Sequence, residues 1–458
     1  MAKIKLPVQK NQELTGTVTD LTYQGNGVVK VDHYPIFIPN TLPGEEINYV
    51  VTKTQRNFGW GRALNWQKKS PDRVAMQDKR LLQTGIAPLG HLAYPAQLKF
   101  KQHQIAELVA KAHLNIEVLP TLGMDQPYHY RNKAQVPVKM VKGQLETGFY
   151  RRGSHHLVPI EDYYIQDPKL DQAIIVVRNL LRKYHIQPYD EQSGKGVIRT
   201  VMVRRGYYSH EMMVVLVTRT KHLPMKDELV QGIVKALPEL KSLVQNVNGA
   251  RTNRLLGDKD HTLWGDPVIH DQLLGINFTI SPRSFYQVNP QQTEKLYAKA
   301  IAAAGLDGSQ TVIDAYCGIG TISLAVAKHA KRVEGVEVVA EAVNDAKHNA
   351  KVNGIHNAHF VTAKAEDQMA KWQQKGLRPD VLIVDPPRKG LDPSLIEAAG
   401  KMGPQKVVYV SCNPATLVRD IQRWQVEGYR VAKPIQPVDM FPQTTHVESV
   451  TVLERTEK

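Results

Sequence analysis

Hydrophobic and polar positions follow two different rhythms along this chain. Between residues 13 and 66 they alternate with a period of two, as in Gly16–Leu21, Gly27–Val31, Ile36–Ile38 and Glu46–Thr52. That is the mark of half-buried strands. Gly25-Asn26-Gly27 and Pro43-Gly44 supply turns between them. Five short strands over roughly fifty residues predict a small closed barrel of the oligonucleotide-binding type. A basic, proline-bounded stretch, Lys68–Pro71, then reads as a linker. Beyond it, Ala96–Leu114 has helical periodicity. Strand-like segments follow over 128–270, among them Ala134–Lys139, Ile198–Arg205 and Met212–Thr218, with a helix-like insert at about 168–185. This middle stretch predicts an α+β domain.

From about residue 290 the pattern alternates helix and strand. Gln291–Gly305 reads as a helix, Thr311–Asp314 as a strand, Thr321–Ala330 as a helix and Arg332–Glu337 as a strand. Helix Ala340–Asn353, strand His359–Val361, a further helix and strand Val381–Val384 continue the series, and Lys406–Val410 reads as another buried strand. Such alternation predicts βαβ units and a parallel, Rossmann-like sheet. The expected organisation is a barrel over residues 1–67, an α+β domain over 68–270 and an α/β domain over 271–458.

Composition narrows the function classes. Lys and Arg number 59 against 44 Asp and Glu. Residues 51–105 carry basic side chains from Lys53 to Lys101 and only Asp72 and Asp78 as acids. Such a field attracts polyanions; generic solubility is the blander explanation. Along the last barrel strand, Arg56, Phe58, Trp60 and Arg62 alternate, offering cations and stacking faces together, unless Phe58 and Trp60 simply fill the barrel. Arg204–Arg205 and Arg151–Arg152 either hold phosphates or lie in solvated turns. Two cysteines make no disulfide framework and suit a reducing cytoplasm. No apolar run approaches a membrane span, and Met1–Pro7 lacks the core of a secretory signal. A monomer is expected.

The chemistry gathers where strands of the last domain end. Asp314-Ala315-Tyr316-Cys317-Gly318-Ile319-Gly320 joins a strand to a helix, and Glu337 closes the next strand. A shortened glycine loop followed by a carboxylate placed for ribose hydroxyls suits a nucleoside without a pyrophosphate. That points to S-adenosylmethionine. Asp385-Pro386-Pro387-Arg388 ends another strand, with two prolines fixing the turn. Amino-group methyltransferases continue a related corner with an aromatic residue, which is missing here. Cys412, in Ser411-Cys412-Asn413-Pro414, follows the buried strand Lys406–Val410, so its thiol faces the ligand crevice outside the strand ends. Cys317, in the glycine loop, is expected to point to the same place.

A thiol there moves the chemistry from nitrogen to carbon. Carbon 5 of a pyrimidine becomes nucleophilic only after a thiolate adds to carbon 6. After methyl transfer, a base must take the carbon 5 proton so that the thiol can leave. Cys412 suits the first role, with basic surroundings expected to draw its pKa down. Glu448, in Thr444-Thr445-His446-Val447-Glu448, suits the second; alone it would read as an edge-strand surface glutamate.

At this point the residues resemble a family, the uracil-5-methyltransferases of structured RNA. The shared pieces are Ser284–Asn289, Asp314–Gly320, Asp385–Arg388, Ser411–Pro414 and His446–Glu448. The resemblance implies that Cys412 is the nucleophile and Glu448 the base. It also implies that Gln287, Tyr316, Glu337 and Asp385 line the methyl-donor pocket. The barrel resembles the TRAM module of the ribosomal-RNA branch, a module that the transfer-RNA branch generally lacks. The implied activity is methylation of a uridine in 23S ribosomal RNA. A transfer-RNA uridine, or a non-catalytic RNA-binding assembly factor, is the alternative. Many ribosomal-branch members hold a four-cysteine iron–sulfur cluster in the middle region. Its flanking landmarks survive here from Gly85 to Leu98 and from Glu161 to Gln166, but the four ligand positions read Asp78, Thr84, Ala87 and Tyr163. No thiolate stands there, so neither a cluster nor another metal is expected.

Overall fold

The computed structural model describes residues 6–76, 78–251 and 254–456. Residues 1–5, on which the reading of the N-terminus partly rests, lie outside it. The first domain is a six-stranded sheet of Glu13–Thr17, Asp20–Leu21, Gly27–Val31, Tyr34–Ile38, Glu46–Thr54 and Gly59–Lys68. The first and second of these terminate the two ends of the sheet, yet they are consecutive in the chain. Residues 13–21 are thus one bent segment whose halves pair with opposite edges, and this closes the sheet on itself. Gly27 makes room for the closure, because a Cβ there would collide with Thr41 Oγ1 and a Val18 methyl. Val18, Val29, Tyr34, Ile36, Ile38, Ile47, Tyr49 and Val51 fill the interior. Phe58 and Trp60 are not among them; they sit on the outer face.

The predicted linker is pinned rather than free. Glu45, fully buried, accepts hydrogen bonds from Leu42 N (2.9 Å), Trp66 Nε1 (2.8 Å) and Ser70 N (3.3 Å), and forms an ion pair with Arg73. A buried carboxylate is tolerated only with such partners. Here they bind the barrel to the chain that leaves it.

The middle region builds a seven-stranded sheet in the order Lys259–Gly265, Leu240–Val247, Met212–Thr218, Ile198–Arg205, Lys133–Val141, Gln144–Tyr150 and Leu157–Pro159. Helices Pro168–Lys183 and Lys226–Ala236 pack on it. The first begins with Asp167 accepting from Lys169 N and proline at its first position, a strong start signal. Ala87 and Tyr163 are fully buried in this domain's apolar cluster, and the Tyr163 ring meets Phe149 edge-on at 5.5 Å. Apolar and aromatic packing therefore holds the chain around Ala87 and Tyr163. Arg204 is also internal: it donates to the carbonyls of Pro282 and Ser284, while Arg205 pairs with Asp167 and Glu239. Neither is a solvated turn residue or a free phosphate ligand.

Helix Tyr94–Lys111 packs away from this sheet, with Ile105 and Val109 joining the apolar cluster of the C-terminal domain. Its Lys101 pairs with Asp439, both fully buried. The C-terminal sheet runs Ala358–Thr362, Arg332–Glu337, Thr311–Ala315, Val381–Val384, Lys406–Ser411, Glu448–Arg455, Tyr429–Val438. The first five strands are parallel and the last two antiparallel. Chain order reverses between Thr311–Ala315 and Val381–Val384, and such a switch point opens a ligand crevice at the carboxyl ends. Hairpin Ile269–Leu273/Ile276–Ile280 abuts helix Ala340–Val352 beside it. Among the described residues, no helix is long and apolar enough to cross a membrane.

Candidate active site

The carboxyl ends of the parallel strands surround a crevice of about 1020 Å³. Gln287, Tyr316, Glu337, Asp385, Cys412 and Glu448 all line it. Strand register explains the meeting of the last two. Lys406–Ser411 pairs antiparallel with Glu448–Arg455, Lys406 opposite Glu454 and Ser411 opposite Ser449. Cys412 is the first residue beyond the former strand and Glu448 the first residue of its partner, so this pairing brings the two close enough for the Glu448 charge to act on the thiol. Glu448 therefore stands on an internal strand, since Tyr429–Val438 occupies the edge.

The thiol is held by its neighbours. Asn413 caps helix Pro414–Val426 by accepting from Ala415 N at 3.1 Å, and its Nδ2 donates to the Arg388 carbonyl at 2.8 Å. Ser411 Oγ accepts from Asn413 N at 3.2 Å. The sulfur lies 3.9 Å from the Pro386 carbonyl, so the two loops carrying Asp385 and Cys412 form one unit.

Electrostatics reverse one expectation. Burial pushes the Cys412 thiol up to about 12, with Glu448 and Asp385 acting in the same direction and Arg388 opposing them. Carboxylates, rather than the basic groups expected from the composition, prevail around it. Burial, then Asp385, pushes Glu448 up to about 8. Asp385 is raised to about 6 by burial, and its Oδ2 accepts from the Tyr297 hydroxyl at 3.3 Å. That hydroxyl also accepts from Gln287 Nε2 at 2.9 Å. Tyr297 thus bridges two of the expected residues. From the sequence it reads only as a core position on helix Pro290–Ala304.

The glycine loop is shaped for a ligand. At Gly318 φ is +55°, and nothing lies within 4 Å of where a Cβ would stand. At Gly320 φ is +86° and a Cβ would meet Ala346, Leu324 and Phe360 at 3.3 Å. Tyr316 adopts φ +72°, a costly conformation for a residue with a side chain. Glu337 accepts from Gly318 N (3.2 Å) and Val339 N (2.9 Å), which fixes its carboxylate across the loop. Cys317 lines the same crevice as Cys412, but from a more buried position. Its sulfur is buried in an apolar cluster with Ile319, Leu324 and Phe360, 3.0 Å from the position of a Cβ on Gly335.

Sequence reasoning passed over Asp314. It is buried, it lines the crevice, and its Oδ1 has no hydrogen-bond partner. Burial, with help from Asp385 and Glu337, raises it to about 7. Acidic side chains outnumber basic ones around the crevice. An orphan carboxylate oxygen in an acidic, glycine-cradled space fits a cationic nucleoside, as S-adenosylmethionine is with its sulfonium and ammonium groups.

A second cavity, a groove of about 1390 Å³, runs between the barrel, the middle domain and the C-terminal domain. Lys111, Arg131, Lys133, Arg152 and Arg388 line it against Asp20 and Glu107. Cys412 and Gln135 line both cavities. The thiol therefore stands where an acidic crevice meets a basic groove. Among the described residues, no group of three or more His, Cys, Asp or Glu side chains is placed to hold a metal ion.

Comparison with known proteins agrees with this layout. Residues 93–456 match the tRNA (uracil-5-)-methyltransferase family and residues 7–64 match the TRAM domain. An uncharacterized RNA methyltransferase of Lactiplantibacillus plantarum is 62% identical over 99% of both chains. One of Enterococcus faecalis is 52% identical over 98% of both. Among solved structures, the tRNA (uracil-54, C5)-methyltransferase of Pyrococcus abyssi, in complex with S-adenosyl-L-homocysteine, is similar. The TM-score is 0.78 at 27% identity, covering 96% of this chain and all of that one. With its barrel, its donor crevice and its thiol at the strand end, the chain belongs to the tRNA (uracil-5-)-methyltransferase family of S-adenosylmethionine-dependent RNA methyltransferases.

Proposed function

We propose that the chain methylates carbon 5 of a uridine in 23S ribosomal RNA, in the cytoplasm, through a covalent cysteine adduct. The observation that carries this reading is that Cys412 and Glu448 line one crevice, with Cys412 also lining the groove. Cys412, a thiol until its proton is lost to solvent, adds as thiolate to carbon 6 of the uracil, and the ring electrons move to make carbon 5 nucleophilic. S-adenosylmethionine, bound in the crevice, supplies the electrophilic methyl group. Glu448 then takes the proton from carbon 5, the double bond reforms and the Cys412 thiolate leaves. Gln287, Tyr316, Glu337 and Asp385, with Asp314, hold the donor, and Tyr297 keeps Gln287 and Asp385 in place. A base must leave its stack to reach the thiol.

Donor binding should depend on pH in a direction set by the crevice. Asp314, Asp385 and Glu448 titrate near 7, 6 and 8 because burial disfavours their charged forms. A cationic ligand binds the ionised forms better. S-adenosylmethionine affinity, measured by titration calorimetry, is therefore expected to tighten severalfold between pH 5.5 and 7.5. Asp314→Asn should flatten part of that rise. A flat profile in the unaltered chain would show that no carboxyl group of raised pKa meets the donor's charge.

What supports ribosomal RNA is the set of landmarks, Gly85–Leu98 and Glu161–Gln166, shared with that branch. The second reading, a transfer-RNA uridine, is favoured by the likeness to the Pyrococcus enzyme. The extent of that likeness gives the barrel a counterpart in a transfer-RNA enzyme, so the barrel alone does not choose between them. Mass mapping of 5-methyluridine in a strain lacking the protein decides. Loss from 23S RNA, restored by the intact gene, is expected; loss confined to transfer RNA would move the substrate.

A further inference from the structure

The outer face of the barrel carries three aromatic rings that its own fold does not use. In Tyr34–Ile38, Tyr34, Ile36 and Ile38 point inward, which turns Phe37 outward. Phe37 stands opposite Trp60 in the parallel pairing of that strand with Gly59–Lys68. Phe58 completes the cluster, with ring centroids 5.3, 5.6 and 6.4 Å apart. All three rings are half-buried, all lie outside the barrel core, and all line the groove that reaches Cys412.

Across the groove, Lys133 and Gln135 alternate along strand Lys133–Val141 and so share one face, and Arg131, just before the strand, lines the groove with them. They lead toward the crevice, since Gln135 lines both cavities. Lys133 forms no ion pair with any described residue, and the charges that act on it are those of Arg204 and Arg131, cations like itself. Burial together with those two cations holds its ammonium down to about 7. An anion placed there relieves both costs. The groove is also larger than the ~300–1,000 Å³ of a pocket for one small ligand. A lining of cations and aromatic faces matches unpaired nucleic acid, because a duplex hides its base faces.

We infer that the groove binds a run of unpaired RNA, with a phosphate beside the target nucleotide on Arg131 and Lys133 and a second, non-target base stacked on Phe37, Phe58 and Trp60. This deepens the functional reading above and rests on it. The barrel then measures a fixed distance from the thiol and selects RNA that is single-stranded over that span.

The test is a cycle of base removal against ring removal. An abasic nucleotide is walked along a single-stranded RNA containing the target uridine, and affinity for the full chain is read by fluorescence anisotropy. At one position away from the uridine, base removal should weaken binding about tenfold, as expected for one stacked base. In Phe58→Ala/Trp60→Ala that penalty should vanish, and in Phe58→Tyr/Trp60→Phe it should return, which separates stacking from misfolding. Lys133→Met should weaken every RNA alike and lower the salt dependence by about one counter-ion. The proposal is overturned if the penalty survives ring removal, or if RNA paired along its length binds as tightly as unpaired RNA. Formation of 5-methyluridine with no ring-dependent penalty sinks the platform and leaves the functional reading intact. A ring-dependent penalty in an RNA that is never methylated does the reverse.

Discussion

Cys412→Ala should lose methyl transfer by roughly 10⁴-fold or more, as removal of a covalent nucleophile does, while RNA and methyl-donor affinities change only a few-fold. The size of the effect follows from the chemistry. Without addition at carbon 6, carbon 5 has no electron density to offer, and neither positioning nor electrostatics replaces it. Cys317 cannot substitute, because its sulfur is packed among Ile319, Leu324 and Phe360 and burial pushes its pKa well up. The measurement is incorporation of labelled methyl into RNA, beside binding by calorimetry and anisotropy. Retained turnover would refute the covalent route. Binding lost together with turnover would show that the substitution disturbed the site rather than the bond. If the unaltered chain itself never methylates RNA it binds well, the alternative of a non-catalytic assembly factor gains.

The second large effect is an accumulation rather than a loss. Glu448→Gln keeps the size of the side chain but removes the acceptor for the carbon 5 proton. The methylated adduct should then form and fail to resolve, giving a protein–RNA species that survives denaturation and shifts in a gel. It should contain the methyl group, and it should be absent from the Cys412→Ala/Glu448→Gln double variant. The unaltered enzyme should resolve its adduct faster as pH rises through about 8, where Glu448 becomes ionised. If no adduct accumulates on an RNA that the unaltered chain methylates, another group takes the proton. Asp385 is then the first candidate, since its charge acts on both Cys412 and Glu448.

Much of this architecture is legible from local chemistry. Alternating apolar positions mark the barrel strands. Asp167 and Pro168 mark a helix start, and Gly318 and Gly320 mark a turn that a side chain would strain. Each signal is confined to a few consecutive residues, where backbone preference and burial pattern suffice. Less legible is what depends on partners far away in the chain. Phe58 and Trp60 carry the alternation of a strand, but alternation does not say which face is inward. Only the packing of Tyr34, Ile36 and Ile38 inside the barrel turns Phe37, Phe58 and Trp60 outward. Arg204 resembles a surface cation until Pro282 and Ser284 close over it. Asp314 opens a motif recognised in the sequence, yet nothing local shows that one of its oxygens is buried without a partner.

The sequence by itself determined the family, because motifs carrying a thiol, a carboxylate and a shortened glycine loop are each visible as short runs of residues. Tertiary structure decided how those groups meet. An antiparallel pairing between distant strands brings the loop that carries Cys412 beside Glu448, and a buried, carboxylate-rich wall raises the thiol pKa where net charge suggested the opposite. Protonation depends on distance and desolvation, and both are properties of the folded enclosure. A one-dimensional count of charges contains neither.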